Sequence, residues 1–214
     1  MATTFYRSKR LKAKRSSRQH SVCWIPTILM AAAAVEAFPN DLAEVGGVGW
    51  FQNDRPARLR HLWQLLDCLE DAKASQLSKY KAMHFAITGE PFPAGSEPFQ
   101  SLKLLIDVRN KIMHPRPPTA KMDVKPDGTA EWILSDTDQS FLRKLEAKRL
   151  LEGDRDDWFI DLGNKRAAAW ALITAWDSCN YFIDRLVDDP RFQHAWHISC
   201  GNSSSRVDEL RKHL

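Results

Sequence analysis

Apolar residues recur three and four positions apart along most of this chain, and the pattern is cut only where Pro and Gly fall. That spacing lines up one face of an α-helix and cannot line up one face of a strand. It predicts helices over about 24–45, 56–72, 74–87, 97–113, 135–153 and 162–188. Pro26 suits a first turn, and Gly46-Gly47 ends the first segment. Asn53 or Asp54 can cap the second, where Leu59, Leu62, Leu66 and Leu69 form a stripe. The fourth must stop near His114, because the residue before Pro115 is pushed out of the α region. In the last helix Ala169, Ile173, Trp176, Ile183 and Leu186 lie near one face. Only 9 glycines in 214 residues argue against an all-β chain.

Residues 115–137 break the helical pattern. After a stiff PRPP, the run MDV-KPDGT-AEWIL reads as a short hairpin with Asp127-Gly128 in its turn. The expected fold class is therefore all-α: an up-down helical bundle over residues 21–190, with a small β-hairpin insertion at 115–137. A basic, disordered arm over 1–20 precedes it, and a C-terminal tail of little pattern, 191–214, follows.

Charge isolates the arm. The chain carries 31 Lys and Arg against 27 Asp and Glu; seven of the cations, Arg7, Lys9, Arg10, Lys12, Lys14, Arg15 and Arg18, crowd into twelve residues without an acid. Without them the rest has 24 cations against 27 acids, a net of −3. Such an arm attracts RNA or acidic surfaces through salt-sensitive forces, or is simply a solvated tail. A basic stretch followed by VCWIPTILMAAAAV also resembles a secretory signal. Pro26 interrupts the apolar run, Glu36 sits near the AVEA site, and the helical pattern continues to Phe38, so we read a first helix of a cytoplasmic protein. No apolar run reaches the ~18–20 residues of a membrane-spanning helix, and no membrane partner is expected.

Familiar chemistries are missing. There is no P-loop, GxGxxG, GxSxG or HExxH. Four scattered cysteines, Cys23, Cys68, Cys179 and Cys200, form no CxxC pair. His194, His197 and Cys200 have ligand-like spacing but no obvious fourth ligand, and coincidence explains them better. The tryptophans at 24, 63, 170 and 176 sit on helical stripes and read as core rather than base-stacking platforms.

The informative stretch is FQSLKLLIDVRNKIMHPRP, 99–117. On a wheel of about 100° per residue, Phe99, Leu102, Leu105, Ile106, Ile112 and Met113 fall within roughly 140°, and Arg109 lies near the middle. A guanidinium centred on an oily face breaks the binary pattern. Burying it alone would cost several kcal/mol, so it calls for an acid, a second subunit or a phosphate. Asn110 lies at the edge of that arc. His114 points about 140° away from Arg109 on an ideal helix. One shared site then needs a frayed helix end, or a second copy that brings its own pair. Glu36 is the candidate partner for Arg109. It shares a nominal helix face with Leu29, Ala33 and Asn40, which suggests that it points inward.

The run Arg109-Asn110-Lys111-Ile112-Met113-His114 resembles the R-x4-6-H motif of the HEPN superfamily (higher eukaryotes and prokaryotes nucleotide-binding). In that family the motif closes a helix of an α-helical bundle, and a polar residue often follows the Arg. The segment ILMAAAAVEAFPNDL, 28–42, and the long C-terminal helix are similar to family features too. The resemblance implies metal-independent RNA cleavage by a homodimer, in a toxin or antiviral setting with an antitoxin or defence partner, and no cofactor. It makes Arg109, Asn110 and His114 catalytic, with Glu36 and Asn40 in support. The chemistry can be argued from the residues: neutral His114 takes the 2′-OH proton or, as imidazolium, protonates the leaving 5′-oxygen, while Arg109 holds the phosphate. Two other readings stand beside it. Arg109 can brace helices against a buried carboxylate while His114 caps the helix carbonyls. Or the module binds RNA, nucleotide or a protein without catalysis.

Overall fold

A computed structural model describes residues 24–47, 61–115, 120–124, 127, 130–153, 157–186 and 203–212. Eight helices are found among them: α1 (Ile25–Gly47), α2 (Leu62–Asp71), α3 (Gln76–Thr88), α4 (Phe99–Met113), α5 (Asp136–Ala147), α6 (Trp158–Leu162), α7 (Lys165–Leu186) and α8 (Ser203–Arg211). The described chain is mostly helical. Two short strands, β1 (Ala120–Val124) and β2 (Ala130–Leu134), lie between α4 and α5 and pair antiparallel. The expected start of the second helix near Pro56 lies outside the described residues, as does the expected turn residue Gly128.

The chain divides into two compact units. One holds Val108–Ala168 with the chain up to Pro26, the other Thr27–Asp107 with Ala169–Leu214.

The core of the second unit is aromatic. Tyr80 of α3 meets Phe182 of α7 edge-on at 5.5 Å between ring centroids, and Phe38 of α1 lies 6.5 Å from Tyr80. Phe99 extends the cluster to Phe182 at 5.9 Å and to Tyr181 at 4.6 Å. Helix α1 buries Ile28, Ala31, Ala32, Val35, Phe38 and Leu42. This stripe passes through a proline, for Pro39 lies inside α1. Pro has no N–H, so the Val35 carbonyl loses its partner four residues on. Two side chains of α3 replace it: Tyr80 Oη donates at 2.8 Å, and Gln76 Nε2 at 3.1 Å. Gln76 Nε2 also reaches the Glu36 carbonyl at 2.8 Å.

In the first unit, α5 is capped by Ser135. Its Oγ accepts from the Asp138 amide and donates to Asp138 Oδ2 at 3.0 Å. The helix stops at Ala147, short of the 135–153 expected. Arg149 turns into the left-handed region at φ 55°, and the Leu150 amide bonds back to Leu145 O at 2.9 Å. That is a Schellman stop made without glycine, and it returns Leu150 to the interior. Lys73 ends α2 in the same way, at φ 51°. Asn164 opens α7: its Oδ1 accepts from the Ala167 amide, while its Nδ2 donates to Leu150 O and Asp161 O at 2.7 Å each.

Two expectations need correction. The tail was expected to show little pattern, yet α8 forms there, with Val207 buried and Arg211 paired to Asp177 of α7. Four tryptophans were expected in the core. Trp170 is buried, Trp63 and Trp176 are half-buried, and Trp24, in the turn just before α1, is exposed.

Candidate functional site

Helix α4 ends where Pro115 demands, and the His114 amide closes the last turn onto Asn110 O at 2.9 Å. Its buried face comprises Phe99, Leu102, Leu104, Leu105 and Val108. Leu104 and Val108 fall outside the arc drawn from sequence, whereas Met113, counted inside it, is exposed. The oily face is therefore rotated, and Val108 occupies its depth instead of Arg109. Arg109 is half-buried at the edge, with Nη1 donating to Asn110 Oδ1 at 3.0 Å. Asn110 and His114 are both exposed. The three candidate catalytic residues thus occupy the last turns of one helix, with an arginine held by its neighbouring amide and an imidazole open to solvent.

Lys111, between them, plays a different part. Its amine donates to Asp138 Oδ1 at 2.7 Å and lies 5.0 Å from the Phe141 ring centroid. The carboxylate that accepts from the capping hydroxyl of Ser135 thereby anchors the last turns of α4. Phe141 in turn packs edge-on against Trp158 at 5.2 Å.

Glu36 and Asn40 lie elsewhere than the nominal face suggested. Ala33 and Asn40 are exposed and Glu36 is half-buried, because α1 buries the adjoining stripe through Val35 and Phe38. Their common neighbour is Lys79 of α3, whose side chain is only 5% exposed. Its Nζ donates to Asn40 Oδ1 at 3.0 Å and pairs with Glu70 of α2. Burial holds the Lys79 amine below its ordinary value, opposed by the negative charge of Glu36. Glu36 and Arg109 belong to different units. Their pairing is carried forward as a proposal.

Sequence reasoning passed over Lys79 and His84. Both are buried on α3, on the stripe that also carries Tyr80, Met83 and Ile87. A polar residue on such a stripe was the available signal. His84 Nδ1 faces Glu90 O at 3.1 Å, and a carbonyl only accepts, so Nδ1 carries the proton. Its Nε2 lies 3.0 Å from Tyr181 Oη, and the Arg185 guanidinium covers the Tyr181 ring at 3.5 Å. Every nitrogen is satisfied, as expected of a core histidine that fixes the 89–98 loop.

The arm cations Arg7, Lys9, Arg10, Lys12, Lys14, Arg15 and Arg18, and His194, His197 and Cys200, lie outside the described residues. Among the described residues no group of three metal-ligating side chains gathers, and no helix is long and apolar enough to cross a membrane. Comparison with family models, with curated proteins and with solved structures finds no match for this chain.

Proposed function

We propose that this chain is a HEPN-like, metal-independent endoribonuclease of the toxin or antiviral-defence type, working in the cytoplasm as a homodimer with an antitoxin or defence partner. The observation that carries the reading is the end of α4, where a half-buried arginine, its polar neighbour and an exposed histidine share the last turns before Pro115. RNA supplies its own nucleophile. As the 2′-oxygen bonds to phosphorus, the bond to the 5′-oxygen breaks. One imidazole accepts the 2′-OH proton and an imidazolium protonates the departing oxygen. Arg109 meets the charge on the phosphoryl oxygens, and the bond it donates to Asn110 Oδ1 fixes the guanidinium plane beforehand. The products are a 2′,3′-cyclic phosphate and a 5′-hydroxyl. In this reading Glu36 pairs with Arg109 as a brace, with Asn40 beside it, and the basic arm gathers RNA. The β-hairpin insertion is an addition to the HEPN-like bundle.

A second reading, a non-catalytic RNA-, nucleotide- or protein-binding module, takes support from the Arg109–Asn110 bond, which uses the amide to hold the arginine and leaves the imidazole aside. One experiment separates the two. Wild type, Arg109→Ala and His114→Ala are incubated with RNA in EDTA, and the fragment ends are read by mass. Cleavage to cyclic phosphates by wild type, lost in both folded variants, supports the nuclease. Intact RNA in all three leaves the binding module.

A further inference from the structure

The last turn of α4 carries candidate groups without being buried: Asn110, Met113 and His114 are exposed. Helix ends with nothing packed on them fray. Lys111 supplies a hold. Its side chain is 34% exposed, lies over the Phe141 ring, and donates to Asp138 Oδ1 at 2.7 Å. Asp138 is itself fixed. Ser135 Oγ donates to Asp138 Oδ2 at 3.0 Å and accepts from the Asp138 amide at 3.3 Å. The hydroxyl thus engages one carboxylate oxygen and leaves the other turned to Lys111. Both charges suit their helices. Lys111 is the basic residue in the last turn of α4, and Asp138 lies in the first turn of α5, so each complements the partial charge of its own helix end. The insertion that carries β1 and β2 leaves α4 at His114 and rejoins the helices at Ser135. The bridge closes the neck of that insertion.

We infer that Asp138 is a positioning residue for the site at the end of α4, acting through Lys111 on Arg109 and His114. The inference rests on the reading of that site as one that cleaves RNA. Lys111 lies two residues after Arg109 and three before His114. The turn around it is closed by the His114 amide on Asn110 O at 2.9 Å. Held at Lys111, that turn keeps the guanidinium and the imidazole in one spatial relation. Frayed, it lets the two drift separately, and a displacement of about 1 Å in a catalytic constellation costs on the order of 10²-fold in rate. The bridge also argues against a simpler role for Lys111. An amine already bonded to a carboxylate that offsets its charge is a poor collector of phosphate. The two roles differ in sign. If Lys111 merely drew RNA, removing its acid would free a cation and tighten binding. If Asp138 positions the site, removing it slows turnover.

Three variants of the full chain are compared with wild type. Lys111→Met keeps a stem over Phe141, Asp138→Asn keeps the shape of the carboxylate, and Lys111→Arg keeps the cation. Cleavage of RNA in EDTA gives kcat and KM. A 2′-O-methyl RNA oligomer, which lacks the nucleophile, gives affinity without cleavage. Amide exchange is read over residues 109–114. Lys111→Met and Asp138→Asn should each quicken that exchange by about threefold or more. Each should lower kcat by about tenfold or more, with KM and oligomer affinity within about threefold of wild type. The double variant should be no slower than the slower single one, because both changes break one bridge. Lys111→Arg should keep kcat within about threefold of wild type, since a guanidinium also donates to Asp138. Folding is checked by circular dichroism. Should Asp138→Asn fail to fold, Ser135→Gly replaces it, removing the hydroxyl that fixes Oδ2 at little cost to the cap. A wild type that cleaves no RNA removes the nuclease and this role together. A wild type that cleaves, beside an Asp138→Asn that turns over as fast, binds the oligomer more tightly or exchanges no faster, overturns this role alone.

Discussion

Replacing Tyr80 by Phe removes one oxygen and keeps the ring that packs against Phe38 and Phe182. The hydroxyl's donor bond goes to the Val35 carbonyl, the acceptor that Pro39 leaves open. Burial, with the Cys179 thiol beside it, pushes the phenol well above its ordinary value, so it remains a donor across the working pH range. A buried acceptor stripped of its partners costs about 1–3 kcal/mol. Here Gln76 Nε2 still reaches the same oxygen at 3.1 Å, so the lower end applies, about 1–1.5 kcal/mol. For a chain of this length that lowers Tm by about 2–6 °C. The cause is tested by a second change. Pro39→Ala returns an N–H to the helix, which can bond Val35 O directly. In that background the tyrosine hydroxyl becomes redundant, and Tyr80→Phe should cost no more than about 0.5 kcal/mol. Any loss felt by Cys179 is common to both backgrounds and cancels in the cycle. Urea unfolding of the four proteins, followed by circular dichroism and tryptophan fluorescence, measures the coupling. Equal costs of Tyr80→Phe with Pro39 and with Ala at 39 would refute the idea that the tyrosine serves the proline's orphaned carbonyl.

Lys79 gives a prediction in pH. Its folded value lies below the unfolded one of about 10.4, so the native state sheds its proton first, and stability should rise as pH climbs through that window. Lys79→Met should remove this contribution, seen as a urea midpoint that rises less with pH than that of wild type over the same window; an unchanged slope would clear Lys79 of the effect. Asp177 behaves with the opposite sense. Burial raises its carboxyl above the usual range, helped by Asp208 and Glu97 and opposed by Arg211, so its contribution is full below the unfolded value of about 3.9 and fades as pH rises through the folded one. Asp177→Asn should remove that fading, measured by urea midpoints between about pH 3 and 7. Arg211→Ala should cost less than about 1 kcal/mol, because the pair is partly exposed, while amide exchange quickens in Ser203–Arg211. Gly153 has φ +155°, a conformation that side-chain-bearing residues rarely adopt, and a Cβ there would push the Asp161 carboxylate aside; Gly153→Ala should destabilise by about 1–3 kcal/mol in the same urea assay.

What could be read beforehand follows from which signals are local. Helix ends written by Pro or Gly were legible: α4 stops before Pro115, and α3 ends at Gly89, whose φ is +76°. Ends written by ordinary residues were not. Lys73 and Arg149 adopt the left-handed conformation because Ala74 and Leu150 must turn back onto their helices, a tertiary demand that leaves no mark on the local sequence. The helix α8 was missed for a related reason. Its sequence SSSRVDELR offers only Val207 and Leu210 as apolar residues, and the contact that holds it, Arg211 with Asp177, is 34 residues distant. The centre of the α4 face was misjudged by giving Met113 a weight that belongs to Val108. A helix's last turn projects beyond its neighbours, so periodicity counts residues there that packing does not cover.

That same projection bears on what α4 can do. An arginine kept only to brace a core would sit where Val108 sits, and the residues around it would be covered. Instead the run from Arg109 to His114 divides its labour. Lys111 turns to Asp138 and Phe141 and fixes the helix end to α5. Asn110 holds the guanidinium at its side, and His114 stands open at the terminus. A phosphate site needs these properties together: a cation whose direction is set beforehand, a titratable ring that solvent and substrate can reach, and a rigid element beneath them. Rotation of the oily face weakens the reason for expecting a buried anion and leaves Arg109 half-buried beside Asn110. The case for an RNA-cleaving chain therefore rests less on a violated hydrophobic pattern than on an anchored helix end that keeps two of its three polar groups exposed.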